Sequence, residues 1–449
     1  MPNCTEGLST ERLDFGHLGR RVIEGRFDGG NMTSDGGVML VSAVDKRIGL
    51  IDAAARAIVD PREPSSIKHG IGDMLRQRVY GLVQGWEDLN NHTQLRSDVA
   101  YQTAVGRDTD LASAPTLCRL EKLGDRTAAI KLHEVLVSQF INSFKTVPTE
   151  LVLDFDATDC PLYGKQEDRF FHGYYDSYCY LPLYVFCGEQ MLAAYLRPSK
   201  IDGAKHAAAI LKLLVTRLRQ VWPKVKIIFR ADSGFCRQKI LNWCDRSQVQ
   251  YVVGLARNSR LQAMVAEVEG QMQDAFAETV TQKAPVKQRR FLELTYGART
   301  WKRSRRCVAR LEFGELGNNP RFVVTNIAVT ERDAAALYDR LYCQRGEAEN
   351  RIKEAQLGLF ATRTSCQHFN ANQFRILLSA LAYTLVERLR ALALKDTPLA
   401  HAQIATLRDQ LLKLAAVITR NTRRIRLYFA SHWPSASIFQ QAFQALNSG

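Results

Sequence analysis

Apolar residues recur at helical spacing through the first third of the chain. Leu75, Val79 and Leu82 lie three or four residues apart, and a second run with this spacing extends from Ile130 to Phe140. Such spacing places the apolar side chains on one face of a helix. The pattern predicts a helical N-terminal domain over residues 1–145. Its arginines make it a candidate DNA-binding domain, and the alternative is that they form an ordinary solvated surface. These arginines are Arg76, Arg78, Arg96, Arg107 and Arg119.

Short apolar runs typical of strands replace this pattern from Leu151 onward. Three strand-like runs come first, and two helix-like runs then alternate with two further strands. The strands are predicted at 151–156, 178–187, 190–196, 225–230 and 251–255, and the helices at 204–221 and 238–244. This order predicts an α/β sheet of the ribonuclease-H type, whose first part covers residues 146–257.

Two more strand-like runs mark the segment 258–318, which we interpret as a β-rich insertion. The runs cover 291–301 and 307–313, and the very basic sequence from Lys302 to Arg306 joins them. An aromatic residue, Trp301, stands directly before the basic sequence. Such a pair can stack an unpaired base and neutralise phosphates, although a half-buried tryptophan on a hairpin is an ordinary structural alternative.

The remainder of the chain is predicted to complete the core and then end in helices. A strand at 321–327 and a long helix at 374–394 predict the second part of the core over residues 319–395. The last segment, 396–449, is interpreted as a basic helical region that contains a helix over 404–418. A basic cluster follows this helix and consists of Arg420, Arg423, Arg424 and Arg426.

Charge and motif content narrow the classes of function. The 449 residues include 61 Lys and Arg against 46 Asp and Glu, which gives a formal net charge of +15 and fits a phosphate-bearing partner. The ten cysteines are scattered without a C-x-x-C pair, so the sequence predicts neither a zinc knuckle nor a redox centre. No G-x-x-x-x-G-K-[ST] run supports an ATP-driven mechanism.

The sequence predicts a soluble, cytoplasmic protein without a membrane partner. The segment Met1–Gly19 has charges throughout and no apolar core, so we do not interpret it as a signal peptide. The uncharged apolar-rich run Ile376–Val386 is far shorter than the roughly 20 residues that span a bilayer. Scattered cysteines are also consistent with a reducing compartment.

Two acidic residues follow the apolar runs of predicted core strands. Asp154 and Asp156 alternate with apolar residues and therefore share one face of their strand, so either acid is a candidate ligand. Asp156 lies nearer the carboxyl end of the strand, where ligands of open α/β sheets gather. Asp232 follows the run 225–229 in the same way. If the two strands are neighbours, their ends place two carboxylates side by side.

A third acid lies on a predicted helix further along the chain. At about 100° per residue, Tyr342, Arg345, Glu349 and Gln356 fall within roughly 60° of one another and form one polar stripe. Glu349 is the acid on this stripe. Clustered carboxylates repel one another unless a cation such as Mg²⁺ or Mn²⁺ lies between them. Asp156, Asp232 and Glu349 are thus candidate metal ligands, and the alternative is that each is a capping or surface acid.

The three segments that carry these acids resemble the catalytic blocks of DDE transposases from bacterial insertion sequences. The segments read LDFDATD at 153–159, RADSGF at 230–235 and Y-x2-R-x3-E at 342–349. YLPL at 180–183 and LRP at 196–198 are also similar. Together they are most like the branch whose last block reads Y-x2-R-x3-E-x6-K, and within it insertion-sequence family 1380.

The resemblance implies a function and a set of partners. It implies catalytic roles for Asp156, Asp232 and Glu349, an Mg²⁺ or Mn²⁺ cofactor, and a homodimer that pairs two DNA ends. The double-stranded DNA partners would be the terminal inverted repeats and the target, in the bacterial cytoplasm at the nucleoid. A metal-dependent nuclease without strand transfer, and a non-catalytic repressor from a decayed element, are the alternatives.

The predicted DNA contacts extend beyond the three acids. Gln356 stands where the resembled family has lysine, so the phosphate contact would be weaker or would pass to Lys353, one helical turn earlier. Tyr342 and Arg345 would position phosphate or brace Glu349. The other predicted contacts are Trp301, Lys302, Arg303, Arg305 and Arg306.

Overall fold

The computed structural model describes residues 12–282 and 286–448, which form two compact units. One unit joins the residues up to Leu123 with those from Leu385 onward, and the other covers Gly124–Thr384. These boundaries differ from the predicted limits at 145 and 395. Cys4 and most of the segment Met1–Gly19, which we did not interpret as a signal peptide, lie outside the described residues.

The first unit begins with short strands and continues with helices. Leu75, Val79 and Leu82, which the apolar spacing placed on one helical face, are all buried. The sequence pattern did not predict the three strands. The elements are β1 Leu13–Leu18, β2 Arg21–Gly25, β3 Met32–Thr33, α1 Val38–Ile48, α2 Leu50–Arg56, α3 Ile71–Gln84, α4 His92–Leu95, α5 Val99–Val105 and α6 Ala114–Lys122.

The second unit contains most of the strands of the chain. Its helices are α7 Arg126–Asn142, α8 Ala207–Val221, α9 Gln238–Arg246, α10 Ser259–Thr281, α11 Gly346–Lys353 and α12 Phe369–Leu389, the last of which runs past Thr384. Its strands are β4 Glu150–Ala157, β5 Cys160–Pro161, β6 Phe170–His172, β7 Ser177–Tyr180, β8 Leu183–Cys187, β9 Gln190–Tyr195, β10 Lys226–Ala231, β11 Gln250–Leu255, β12 Gln288–Tyr296, β13 Arg305–Gly314, β14 Gly317–Asn318 and β15 Arg321–Thr325.

A nine-stranded mixed sheet forms the centre of this unit. Its strand order is β12-β13-β15-β11-β10-β4-β8-β9, with β14 paired to β13. The neighbours β4, β10 and β11 run parallel, and the other strands pair antiparallel. The three parallel strands are apolar runs because both of their faces are covered; Phe155 and Phe229, for example, are fully buried and their rings meet edge to face at 5.1 Å. The predicted mixed α/β fold is confirmed.

The segment 258–318 does not form a separate β-rich insertion. Residues Ser259–Thr281 form α10, and β12 and β13 then extend the main sheet because β13 pairs with β15. The first of the two strands lies earlier than predicted, at Gln288–Tyr296, and the second is longer than predicted, at Arg305–Gly314. As a result, Trp301 and Lys302 lie in the loop between them.

The predicted helix over 404–418 is wrong in its second half. The chain forms α13 Ile404–Leu407 and a π-helical turn to Leu412, and then β16 Ala416–Arg420, β17 Ile425–Phe429 and α14 Ala436–Asn447. The run Val417-Ile418-Thr419 is β-branched and favours a strand, and β16 pairs with β3, a partner that local spacing could not reveal. No helix among the described residues is long and apolar enough to cross a membrane.

Candidate active site

The first two predicted acids lie at the ends of neighbouring parallel strands. Asp156 is the penultimate residue of β4, and Asp232 directly follows β10. The register sets Ala231 beside Phe155, so the next residues of both strands lie at the same edge of the sheet. Asp232 also caps the 3-10 turn that follows, because its carboxylate accepts a hydrogen bond from the Gly234 amide at 2.8 Å. The capping role left open by the sequence therefore coexists with the position beside Asp156.

Asp154, the other candidate on β4, is held in a buried ion pair. Nη2 of Arg230 donates to Oδ2 of Asp154 at 2.6 Å, and Nε of Arg230 donates to Oδ1. The two side chains are 7% and 1% exposed. Nη1 of Arg230 donates in addition to the carbonyl of Leu341 at 2.5 Å. One guanidinium thus joins β4, β10 and the chain just before Tyr342, and Asp154 is engaged as its partner.

The segment that carries Glu349 is helical but changes its winding several times. A π-helical turn and a 3-10 turn, Ala336–Tyr342 and Cys343–Arg345, precede α11, and a second π-helical turn follows over Glu354–Gly358. Each change departs from the 100° per residue of a regular helix. The single stripe predicted from regular geometry is therefore not reproduced, and each of its members has its own surroundings.

Arg345 lies between the first and third acids. Its Nη1 donates to Oδ2 of Asp156 at 3.3 Å, and its Nη2 donates to Oε1 of Glu349 at 2.6 Å. The Glu349 side chain remains 47% exposed, whereas that of Asp156 is 12% exposed. The structure therefore brings the predicted residues Asp156, Arg345 and Glu349 together through one guanidinium.

The electrostatics of the site centre on Asp156. Burial, with smaller contributions from the charges of Asp232 and Glu349, raises the pKa of Asp156 to about 7 against the opposing effect of Arg345. Burial lowers the pKa of Arg345, but Asp156, Tyr342 and Glu349 outweigh this effect and the net change is upward. The negative charge of Asp156 is therefore disfavoured by its surroundings, and Arg345 is the group that offsets this cost.

The acids fit a hard divalent cation in their chemistry. Carboxylate oxygens are the ligands that Mg²⁺ and Mn²⁺ prefer. Within residues 12–282 and 286–448, however, no three His, Cys, Asp or Glu side chains are placed closely enough to hold an ion as they stand. The positive group between Asp156 and Glu349 is the Arg345 guanidinium. The residue types therefore suit a hard cation, while the Arg345 guanidinium occupies the position between Asp156 and Glu349 in this structure.

Gly254 lies against the candidate site and was missed by the sequence reasoning. A Cβ atom at this residue of β11 would lie 2.6 Å from Oη of Tyr342, 2.8 Å from the amide nitrogen of Ser233 and 3.1 Å from the carbonyl carbon of Asp232. Only glycine leaves space for both segments to approach the strand. A glycine inside an otherwise apolar strand is the signal that could have identified it.

Gln356 and Lys353 differ in what they contact. Nε2 of Gln356 donates to the carbonyl of Asp159 at 3.0 Å, which ties the helical segment to the chain just after the first acid. Lys353 is exposed at the end of α11. The amide that replaces the expected lysine therefore has a structural contact, and Lys353 is the side chain presented to solvent.

Trp301 packs against the protein. It contacts apolar side chains of two core clusters, and its ring meets that of Tyr296 edge to face with centroids 5.6 Å apart. The guanidinium of Arg305 lies 5.4 Å from the Trp301 centroid. These contacts support the structural alternative for Trp301.

The basic sequence that follows Trp301 is only partly presented to solvent. Arg305 is 5% exposed, and its Nη2 donates to Oδ1 of Asn242 at 2.7 Å and to Oδ2 of Asp245 at 2.8 Å. Arg306 pairs with Glu293 at 2.6 Å. Arg305 and Arg306 are thus engaged with internal partners, and their contact with DNA stays a prediction. Lys302 and Arg303 are exposed, although Arg303 pairs with Asp245.

Comparison with known proteins identifies the family of the chain. The family described as transposase DDE domain, group 1, matches residues 15–448, which is nearly the whole chain. No curated protein matches the chain. A solved structure titled "Cryo-EM structure of piggyBac transposase synaptic complex with hairpin DNA" is similar, with 10% identity, a TM-score of 0.41, and coverage of 83% of this chain and 78% of the other. A likeness this distant adds nothing to the assignment, which rests on the match along the sequence: the chain belongs to the family of transposase DDE domains, group 1.

Proposed function

We propose that the protein is a transposase that cuts the ends of its own insertion sequence and joins them to target DNA. The observation that supports the proposal is the position of Asp156 and Asp232 at the ends of two adjacent parallel strands, together with the Arg345 guanidinium that bonds Asp156 and Glu349. The strand order β9-β8-β4-β10-β11, three antiparallel strands followed by two parallel ones, supports a ribonuclease-H-like core. The resemblance to insertion-sequence family 1380 belongs to the same proposal.

Asp156, Asp232 and Glu349 would hold Mg²⁺ or Mn²⁺. The bound ions would activate a water or a 3′-hydroxyl and stabilise the leaving oxygen of the phosphodiester. The chain itself sets where these oxygens lie: β4 and β10 fix two carboxylates at one edge of the sheet, and α11 brings the third. The partly buried surroundings of Asp156 strengthen its interaction with any positive group that enters.

Arg345 would change partners when DNA binds. A guanidinium suits two-pronged contact with a phosphate, and such a contact would draw Arg345 from its carboxylates. Tyr342 packs against Gly254 beside the Asp232 turn, so it supports the position of the helical segment. Lys353, exposed one turn beyond Glu349, is the proposed phosphate contact in place of Gln356, and Lys302 and Arg303 remain proposed contacts on the hairpin loop.

The proposed partners are the terminal inverted repeats and the target DNA. A homodimer would hold two ends together for joining, in the bacterial cytoplasm at the nucleoid. The net charge of +15 supports a nucleic-acid partner.

The test is a plasmid excision and joining assay with Mg²⁺ and the DNA that flanks the gene. Asp232→Asn and Glu349→Gln should each abolish cleavage and leave end binding intact, because each removes one carboxylate charge with little change of shape. Glu347→Gln is the matched control, since Glu347 is exposed on the same helix and has no part in the proposed site. Cleavage at a near-normal rate by the Asp232 or Glu349 variant would contradict the assignment.

The same assay separates the alternative functions. Cleavage without joining would indicate a metal-dependent nuclease, and binding without cleavage would indicate a non-catalytic repressor. Excised and rejoined DNA is the result that the proposal requires.

A further inference from the structure

The hairpin β16–β17 is anchored at its base. β16 pairs with β3 through Ala416 and Val417, and the amide of Ile418 donates to the carbonyl of Asn31 at 2.8 Å. Ala416 and Ile418 are 4% and 3% exposed. On β17, the ring of Phe429 packs on that of Phe439 with centroids 5.2 Å apart. The hairpin is therefore a fixed part of its unit.

The tip of the hairpin is built by one side chain. Oδ1 of Asn421 accepts hydrogen bonds from the amides of Arg423 and Arg424 at 2.9 and 2.8 Å, and the Asn421 amide donates to the carbonyl of Arg424 at 3.0 Å. An asparagine that bonds its own following backbone in this way is a defined turn. The turn thus holds its arginines in place before any partner binds.

The exposed face of this hairpin carries only positive charge. Arg423, Arg424 and Arg426 are exposed, and no carboxylate among the described residues pairs with their guanidinium groups. The sequence explains this, because no Asp or Glu follows Asp409. Elsewhere in the protein, exposed arginines such as Arg237 and Arg289 pair with neighbouring acids. Three unneutralised cations on one hairpin would repel one another unless an anion lies against them.

We propose that the β16–β17 hairpin binds duplex DNA, with its tip at a groove and the guanidinium groups of Arg423, Arg424 and Arg426 on phosphates. A two-stranded ribbon fits the major groove of B-DNA, and arginine contacts phosphate with two parallel hydrogen bonds. The fixed base and the preformed turn lower the ordering cost of binding. The choice of DNA as the partner rests on the proposed function. The hairpin adds a DNA contact that lies far along the sequence from Glu349.

The salt dependence of binding measures the proposed contacts. Each neutralised phosphate of B-DNA contributes about 0.9 to the slope of log affinity against log salt concentration. Replacing all three arginines by alanine should therefore reduce the slope by roughly 2.7. Replacing them by lysine should keep most of the slope, because the charge remains.

The experiment uses the full chain, EDTA and a fluorescent 30-base-pair duplex, with affinity measured between 50 and 200 mM salt. The control variant Arg217→Ala, Lys224→Ala, Lys239→Ala removes the same charge from exposed positions on and next to helices α8 and α9. We expect a large loss of slope in the hairpin alanine variant, near-native slope in its lysine counterpart, and a small change in the control. Thermal unfolding of each variant checks that it is folded.

Other outcomes overturn the inference in distinguishable ways. An equal loss of slope in the hairpin and control variants would show a diffuse effect of net charge. A loss with single-stranded but not duplex DNA would show a different ligand. If the wild-type protein binds no duplex at all, the proposed function itself fails. If it binds and the hairpin alanine variant has an unchanged slope, only the hairpin inference fails.

Discussion

The buried ion pair between Arg230 and Asp154 should contribute strongly to the stability of the sheet. Removing one member, as in Arg230→Met, leaves the other charged and buried, which typically costs about 3–5 kcal/mol of stability. The carbonyl of Leu341 also loses its donor, and an unsatisfied buried acceptor costs about 1–3 kcal/mol. The double variant Arg230→Met, Asp154→Leu removes both charges and should recover most of the first loss.

The chain offers a matched control on the same strand. Lys226 of β10 pairs with Glu150 of β4 at 3.0 Å, but their side chains are 35% and 27% exposed. Lys226 also pairs with Glu331. Partly exposed pairs of this kind contribute about 0–1 kcal/mol each, so Lys226→Met should have a small effect. The comparison therefore contrasts a buried pair with a partly exposed one across the same two strands.

Amide hydrogen exchange along a urea series provides the assay. Peptides from β4 and β10 report the stability of the sheet, and peptides from α3, in the other unit, provide an internal reference. We expect Arg230→Met to lower the urea midpoint of the sheet peptides strongly and Lys226→Met to lower it little. Equal midpoints for these two variants, or a double variant as unstable as Arg230→Met, would refute the reasoning.

Three further predictions follow from the site. In EDTA, the free energy of unfolding should fall as pH rises from about 4 to about 7, because the raised pKa of Asp156 means that the folded state binds more protons than the unfolded state in this range. Urea unfolding should therefore show Asp156→Asn to be more stable than the native protein by up to ~4 kcal/mol at pH 8 and nearly equal to it at pH 4. Gly254→Ala should displace Tyr342 and the Asp232 turn and reduce cleavage at least tenfold with a smaller effect on DNA binding, whereas unchanged cleavage would show that the close approach is not required. A fully buried aromatic replaced by alanine typically loses about 3–5 kcal/mol of stability, and Trp301→Ala should lose a part of this because Trp301 is only partly buried. Intact stability with slow end processing would instead favour base stacking.

The sequence anticipated the parts of the site that depend on local pattern. The strands β4 and β10 were recognisable from their apolar residues, and the position of Asp156 and Asp232 near their ends followed from the change to polar residues. The partners that lie far away in sequence were not recognisable. Nothing near residue 305 indicates that Arg305 bonds Asn242 and Asp245, and nothing near residue 154 identifies Arg230.

The same physical reason explains the error at the end of the chain. The spacing of Leu407, Leu411, Leu414 and Ile418 is helical, and all four residues are indeed buried. Burial alone does not fix the secondary structure, because β16 gains backbone partners from β3, nearly 400 residues earlier in the sequence. Such long-range pairing overrides a local preference of a few tenths of a kcal/mol per residue.

The first unit is built from both ends of the chain, and this has a consequence for synthesis. Asp35 pairs with Lys413 at 2.7 Å, and Arg408 donates to the carbonyls of Leu82 and Val83, both at 2.7 Å. During synthesis on the ribosome, residues 124–384 emerge before residues 385–449, so the second unit can fold before the N-terminal helices have these partners. A frameshift or stop codon near the end of the gene would therefore damage the beginning of the protein, leaving the apolar faces of α1 and α3 uncovered and exposed to proteases and aggregation.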